Sequence, residues 1–105
     1  MWTEAPLAAC ESFGEPRDRA ACWRGPGFAA ADHLSSTPER LAAMLGEIPA
    51  GRRSDAARGA GYSIGRTYAR EAPAFALCDG LGDALAPACR AGVADAGRHT
   101  VELGP

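Results

Sequence analysis

The feature that most constrains this chain is an internal repeat with a period of about 34 residues. Leu7-Ala-Ala-Cys10, Leu41-Ala-Ala-Met44 and Phe75-Ala-Leu-Cys78 begin at equal successive steps along the chain. Cys22-Trp-Arg-Gly25-Pro-Gly27-Phe28 matches Ala56-Ala-Arg-Gly59-Ala-Gly61-Tyr62 at the same offset, and Cys89-Arg-Ala-Gly92-Val-Ala follows with one residue deleted. Alanine matches arise easily by chance, whereas Cys, Arg, Gly and an aromatic recurring in register do not. A period of this length is that of helical-hairpin arrays, in which each unit buries its apolar face against its neighbour. The expectation is an all-α protein: three helical hairpins stacked as a short α-solenoid in one domain, with units over about 4–37, 38–71 and 72–105.

Local signals place two short helices in each unit. In the second, Thr37 is the expected N-cap, Pro38 takes the first helical position and Glu39 favours the helix dipole. Leu41, Met44, Leu45 and Ile48 follow at i, i+3, i+4 and i+7, an amphipathic stripe. Ile48-Pro49-Ala50-Gly51 ends that helix. Ser54-Asp55 caps the next, which is expected to run to about Arg70. The first unit starts at Pro6 and breaks at Gly14-Glu15-Pro16, and Pro26 is expected to interrupt its second helix. The third starts at Pro73, breaks at Gly80-Leu81-Gly82 and restarts near Asp83 to Pro87. Strand signals are nearly absent, with few β-branched residues and no alternating run.

The four cysteines follow the period. Cys10 and Cys78 lie late in the first helix of their units, Cys22 and Cys89 early in the second, and the middle unit carries Met44 and Ala56 instead. Joint presence and joint absence is the signature of a bond within each unit, since losing one partner strands the other. Two disulfides, Cys10 with Cys22 and Cys78 with Cys89, would each clip one hairpin and contribute on the order of 2.5–3 kcal/mol. The rival pairing, Cys10 with Cys89 and Cys22 with Cys78, needs each pair on one continuous helix, against which Gly14, Pro16, Gly80 and Gly82 argue. A four-cysteine metal site usually takes two ligands from one tight turn, and no C-x-x-C occurs.

Composition matters here because it makes the staples necessary. With 24 alanines and 13 glycines in 105 residues, large apolar side chains are scarce and the core must come from close approach of small ones. The glycines of Arg58-Gly-Ala-Gly-Tyr-Ser-Ile-Gly-Arg66 therefore read as packing positions, together with their repeat partners: Gly25, Gly27, Gly59, Gly61, Gly65 and Gly92, thinning one face of each second helix. As a phosphate loop the stretch fails, for it follows a helix start and lacks the P-loop lysine. Gly61-x-Ser63-x-Gly65 matches a nucleophile elbow in letters, but no strand precedes it.

Other chemistry is thin. His33 and His99 follow Asp32 and Arg98 at helix ends, where a cation is mildly stabilising. A small enzyme using either histidine is the weaker alternative, as is a cytosolic metal or redox protein built on the cysteines. The carboxylates Glu11, Glu15, Asp18, Glu47, Asp79 and Asp83 are scattered singly. A net charge of −2 gives no electrostatic case for nucleic acid or an anionic membrane. No segment approaches the roughly 20 apolar residues that span a bilayer, and the N-terminus has no signal-peptide pattern. Disulfides belong to oxidising compartments, so a periplasmic or secreted protein whose targeting segment is absent from the chain is expected.

In period and hairpin design the chain resembles the tetratricopeptide and Sel1-type helical repeats. The usual tetratricopeptide markers are not met, since the middle unit lacks a tryptophan at the start of its first helix. The recurrent C-x(10–11)-C-x-x-G unit is similar to cysteine-containing helical repeats of exported bacterial proteins. That resemblance implies a scaffold that binds other proteins and transfers no catalytic residue. The expected function is a non-catalytic accessory subunit of a larger assembly, a membrane-associated one included, with no cofactor and no metal. Trp2, Trp23, Phe28, Tyr62 and Tyr68 are the expected contact surface, with Trp23 reading equally well as packed against the adjoining disulfide.

Overall fold

The computed structural model describes residues 9–68 and 71–103, residues 71 and 99–103 by backbone alone. Among the described residues there are five α-helices and no strand. They are α1 (Pro16–Leu34), α2 (Pro38–Leu45), α3 (Arg53–Thr67), α4 (Glu71–Asp79) and α5 (Ala86–Leu103), with 3₁₀ turns at Ala9–Ser12 and Ala50–Arg52. The proline and glycine punctuation accounts for most boundaries. Pro16 and Pro38 stand at the starts of α1 and α2, and the turn after α4 contains Gly82 at φ 96°, the left-handed region that glycine enters without a side-chain penalty.

Four local expectations are corrected. Pro26 lies inside α1, which continues through it. Its ring has no N–H to return to the Cys22 carbonyl, but Gly25 before it carries no Cβ to clash with the ring, and α3 packs on the same stretch. Ser54 and Asp55 do not cap α3, because the Ala50–Arg52 turn runs straight into it and Arg52 holds the N-cap position without a side-chain bond. The helix ends at Thr67, with Tyr68 already extended. Thr37 occupies its cap position, yet its hydroxyl donates back to the Leu34 carbonyl at 3.3 Å. The far end of α2 is closed instead by Arg53, whose Nε and Nη2 donate to the carbonyls of Ile48 and Gly46 at 2.8 Å each.

The long helices make the core. α3 lies between α1 and α5 and packs along both, while α2 rests on α1 and α3, and α4 on α3 and α5. Leu41, Leu45 and Ile48 of the predicted stripe are buried, with Met44 half-buried beside them. Otherwise the interior is Trp23, Ile64, Leu81, Val93, a row of alanines from Ala30 to Ala96, and Cys10, Cys78 and Cys89, with Cys22 half-buried against them.

Both seams of α3 are set by glycines meeting backbone. A Cβ on Gly27 would fall 1.7 Å from the Ala56 carbonyl oxygen, and one on Gly59 would fall 1.9 Å from that of Arg24. Across the other seam, a Cβ on Gly61 would fall 1.8 Å from the Cys89 oxygen and one on Gly92 2.0 Å from the Arg58 oxygen. Gly27 and Gly61, like Arg24 and Arg58, lie one full period apart; Ala56 and Cys89, like Gly59 and Gly92, lie one position short of it, across the deletion. The second seam thus repeats the first, position for position. One turn on, Gly65 meets Val93 as Gly61 meets Cys89, so α3 and α5 run in the same direction.

Two glycine expectations change with this. Gly59 and Gly61 do not thin one face: two positions apart on a helix, they point to opposite sides, one toward α1 and one toward α5. Gly25 is not a packing glycine, having nothing within 4 Å of where its Cβ would be.

Disulfides join Cys10 to Cys22 and Cys78 to Cys89. Each is doubled by the residue that follows its cysteines. Glu11, after Cys10, accepts from Nε1 of Trp23, after Cys22, at 2.5 Å. Asp79, after Cys78, accepts two bonds from Arg90, after Cys89, at 3.0 and 2.8 Å, and the Arg90 guanidinium lies 5.0 Å from the Phe75 ring centre. In the middle unit the equivalent pairs are Met44-Leu45 and Ala56-Ala57, of which Leu45, Ala56 and Ala57 are fully buried. Apolar packing there replaces both the covalent and the polar staple.

Candidate functional site

α1 and α3 leave a cleft of about 520 Å³ lined by Ala21, Arg24, Gly25, Phe28, Arg58, Gly59, Tyr62 and, from α5, Asp95. Its construction follows from the seam. Because Gly59 brings α3 so close to α1, the side chains that flank the contact are pushed outward together. Phe28 and Tyr62, half-buried, stand with ring centres 6.2 Å apart at an interplanar angle of 42°. The lining comes from a sequence element used twice, Arg24-Gly-Pro-Gly-Phe28 and Arg58-Gly-Ala-Gly-Tyr62; in the third unit the aromatic position is Asp95.

Charge at the rim is uneven. Nε of Arg58 donates to Oδ2 of Asp95 at 2.7 Å, and Arg98 donates to the other oxygen. These contacts, Arg58 first, hold the Asp95 carboxyl below its usual range and raise Arg58. Among the described residues Arg24 lies within ion-pair distance of no carboxylate. A second charged cluster sits at the N-terminal edge, where Glu11 also accepts from Nε and Nη2 of Arg52 at 2.8 and 2.9 Å. The Arg52 contact, followed by that of Trp23, lowers the Glu11 carboxyl to about 2. It ties the first disulfide loop to the turn before α3.

The expected contact residues separate accordingly. Phe28 and Tyr62 meet at the cleft. Trp23 is only 3% exposed, packed in the core beside the Cys10–Cys22 bond, so it is withdrawn from the contact surface. Tyr68 is half-buried against the core at the end of α3, away from the cleft lining. Trp2 lies outside the described residues. The sequence reading passed over Arg24, Arg58 and Asp95, although the recurring Arg before each glycine pair was a visible signal. Phe13, also missed, is the one exposed large apolar side chain among the described residues, on a turn whose carbonyls Arg19 holds.

For the alternatives, His33 is exposed in the last turn of α1, and the His99 side chain lies outside the described residues. Ser63 is buried in the middle of α3 rather than raised on a strand-to-helix elbow. All four cysteine sulfurs are in disulfides, and no group of three or more His, Cys, Asp or Glu among the described residues is placed to hold a metal ion. No helix among them is long and apolar enough to cross a membrane. No protein-family model, curated protein or solved structure matches the chain.

Proposed function

We propose that this chain is a protein-binding scaffold of an extracytoplasmic compartment, an accessory subunit that presents the α1–α3 cleft to a larger partner and performs no chemistry of its own. The observation that carries the reading is the cleft itself: an aromatic pair and two arginines, supplied by equivalent positions of successive units, beside the α1–α3 seam. Half-buried aromatics flanked by arginine have the composition of interface anchors. Two disulfides in 105 residues favour an oxidising compartment.

In this reading the helices form three stacked hairpins, a short α-solenoid of the tetratricopeptide or Sel1 type in which the α1–α3 and α3–α5 seams are the repeated inter-unit contact. Such arrays offer a continuous lateral surface to partners. The stack also has an end. Ala94 stands where Gly27 and Gly61 stand in the first two units, so its methyl would overlap the backbone of any helix docking on α5 by the same geometry. One methyl group thus ends the series on that flank.

The test is cross-linked affinity capture with the oxidised protein from native soluble and membrane fractions, comparing the wild type with Phe28→Ala. The wild type is expected to retain a discrete partner that Phe28→Ala loses, at a temperature where both remain folded by circular dichroism. Equal capture by both would remove the cleft as the contact surface.

A further inference from the structure

Arg24 and Arg58 occupy one position of the repeat, and Phe28, Tyr62 and Asp95 occupy another. Arg58 is paired with the residue at that second position in the next unit, Asp95, at 2.7 Å. For Arg24 the corresponding residue is Tyr62, which brings an aromatic ring where Arg58 finds a carboxylate. Arg58 thus has a hydrogen-bonded acidic partner, whereas Arg24 lies within ion-pair distance of no carboxylate among the described residues and acts on Asp95 only from further off. Arg24, Arg58 and Arg98 all act on the Asp95 carboxylate, while Asp55, which also acts on Arg58, is itself paired with Arg52, so the rim carries local positive charge on a chain of net charge −2.

Building on the scaffold reading, we infer that the cleft binds an acidic peptide segment of the protein partner, placing a carboxylate on Arg24 and an adjacent apolar side chain against Phe28 and Tyr62. A guanidinium meets a carboxylate in a planar two-bond fork, and the aromatic pair supplies the apolar wall. The cleft, about 520 Å³, holds one or two side chains rather than a long segment. The carboxylate is that of an Asp or Glu side chain or of a C-terminal residue; both present the same group to Arg24.

The experiment is an NMR titration of the oxidised full-length chain with four short peptides. Acetyl-Ala-Leu-Glu-Leu-Ala amide is compared with its Gln counterpart, and acetyl-Ala-Ala-Leu-Leu with a free C-terminal carboxylate is compared with its amide. Saturable shifts are expected at Arg24, Gly25, Phe28, Gly59 and Tyr62 for a carboxylate-bearing peptide and not for its neutral counterpart; which pair responds distinguishes side chain from C-terminus. Arg24→Gln should weaken binding roughly tenfold, Arg24→Lys by less, and added salt should weaken it as well. Equal response to neutral peptides, no response to either carboxylate, an unchanged affinity in Arg24→Gln, or tighter binding of a thymidine oligonucleotide would each overturn the inference. That failure would remove the carboxylate site alone, since capture of a partner through Phe28 does not require the partner to be acidic.

Discussion

Substituting alanine at Gly61 puts a methyl group where the structure has no room for one. The new carbon would lie 1.8 Å from the Cys89 carbonyl oxygen, 2.6 Å from its carbon and 2.9 Å from its Cα. Carbon and oxygen normally rest about 3.3 Å apart, so α3 and α5 must part by roughly 1.5 Å at their closest point. The obstacle is backbone on both sides, held on one by the Cys78–Cys89 bond, and no side chain can rotate away. Overpacking of this kind costs about 3 kcal/mol, the upper part of its usual range, while alanine returns about 1 kcal/mol of helix propensity. The net loss is about 2 kcal/mol. Gly97, also within α5, has nothing within 4 Å of its would-be Cβ, so Gly97→Ala receives the propensity gain without the clash. Thermal unfolding of the oxidised proteins by circular dichroism should show Gly61→Ala melting roughly 8–15 °C lower and Gly97→Ala up to about 8 °C higher than the wild type. A Gly61→Ala protein as stable as the wild type would refute the backbone-to-backbone seam.

Further outcomes follow from the same contacts. Gly25→Ala should be close to neutral, its helix gain offset by the strain of a Cβ before Pro26, as unfolding curves would reveal. Replacing Cys78 and Cys89 together by serine, or reducing the protein, should lower stability by about 3 kcal/mol per bond for closed loops of 11 and 12 residues, measured by urea titration. Acid should lower the stability of the chain in a defined window. Glu11 falls from 4.5 to about 2 on folding, and Asp79 and Asp95 are lowered by Arg90 and Arg58. Folded values below unfolded ones mean that this stability is complete above about pH 4.5 and is lost as pH falls toward 2. The melting temperature should therefore be level above about pH 5 and drop below it, and Arg52→Gln should shallow the drop; a curve unaffected between pH 5 and 2 would contradict the three contacts.

The period was legible because it rests on residue types with few substitutes. Cysteine, glycine and arginine recur at multiples of the period or one position short, and the seam glycines Gly27 and Gly61, like Gly59 and Gly92, meet equivalent backbone in successive units. The absence of both cysteines from the middle unit pointed to the pairing. The seam glycines could be named, but not the helix each one faces: Gly59 and Gly61 sort to opposite neighbours only through helical geometry, and Gly25 differs from Gly59 solely because no helix precedes α1 among the described residues. Pro26 misled because local propensity ignores the packing of α3 against the helix on this stretch. Trp23 read equally well as anchor or core; its indole donates to Glu11, 12 residues away, which is in turn held by Arg52 from 41 residues away. The charged rim of the cleft escaped because arginine there looked like ordinary surface until Asp95, at an aromatic position, was brought to Arg58.

Each cysteine-bearing unit is clipped to itself by its own disulfide. Peptide mapping by mass spectrometry of the natively isolated protein, alkylated without reduction, tests this most directly. The predicted result is two disulfides, Cys10–Cys22 and Cys78–Cys89, with no alkylated cysteine. Four free thiols, bound zinc, or bonds joining Cys10 to Cys89 would contradict it.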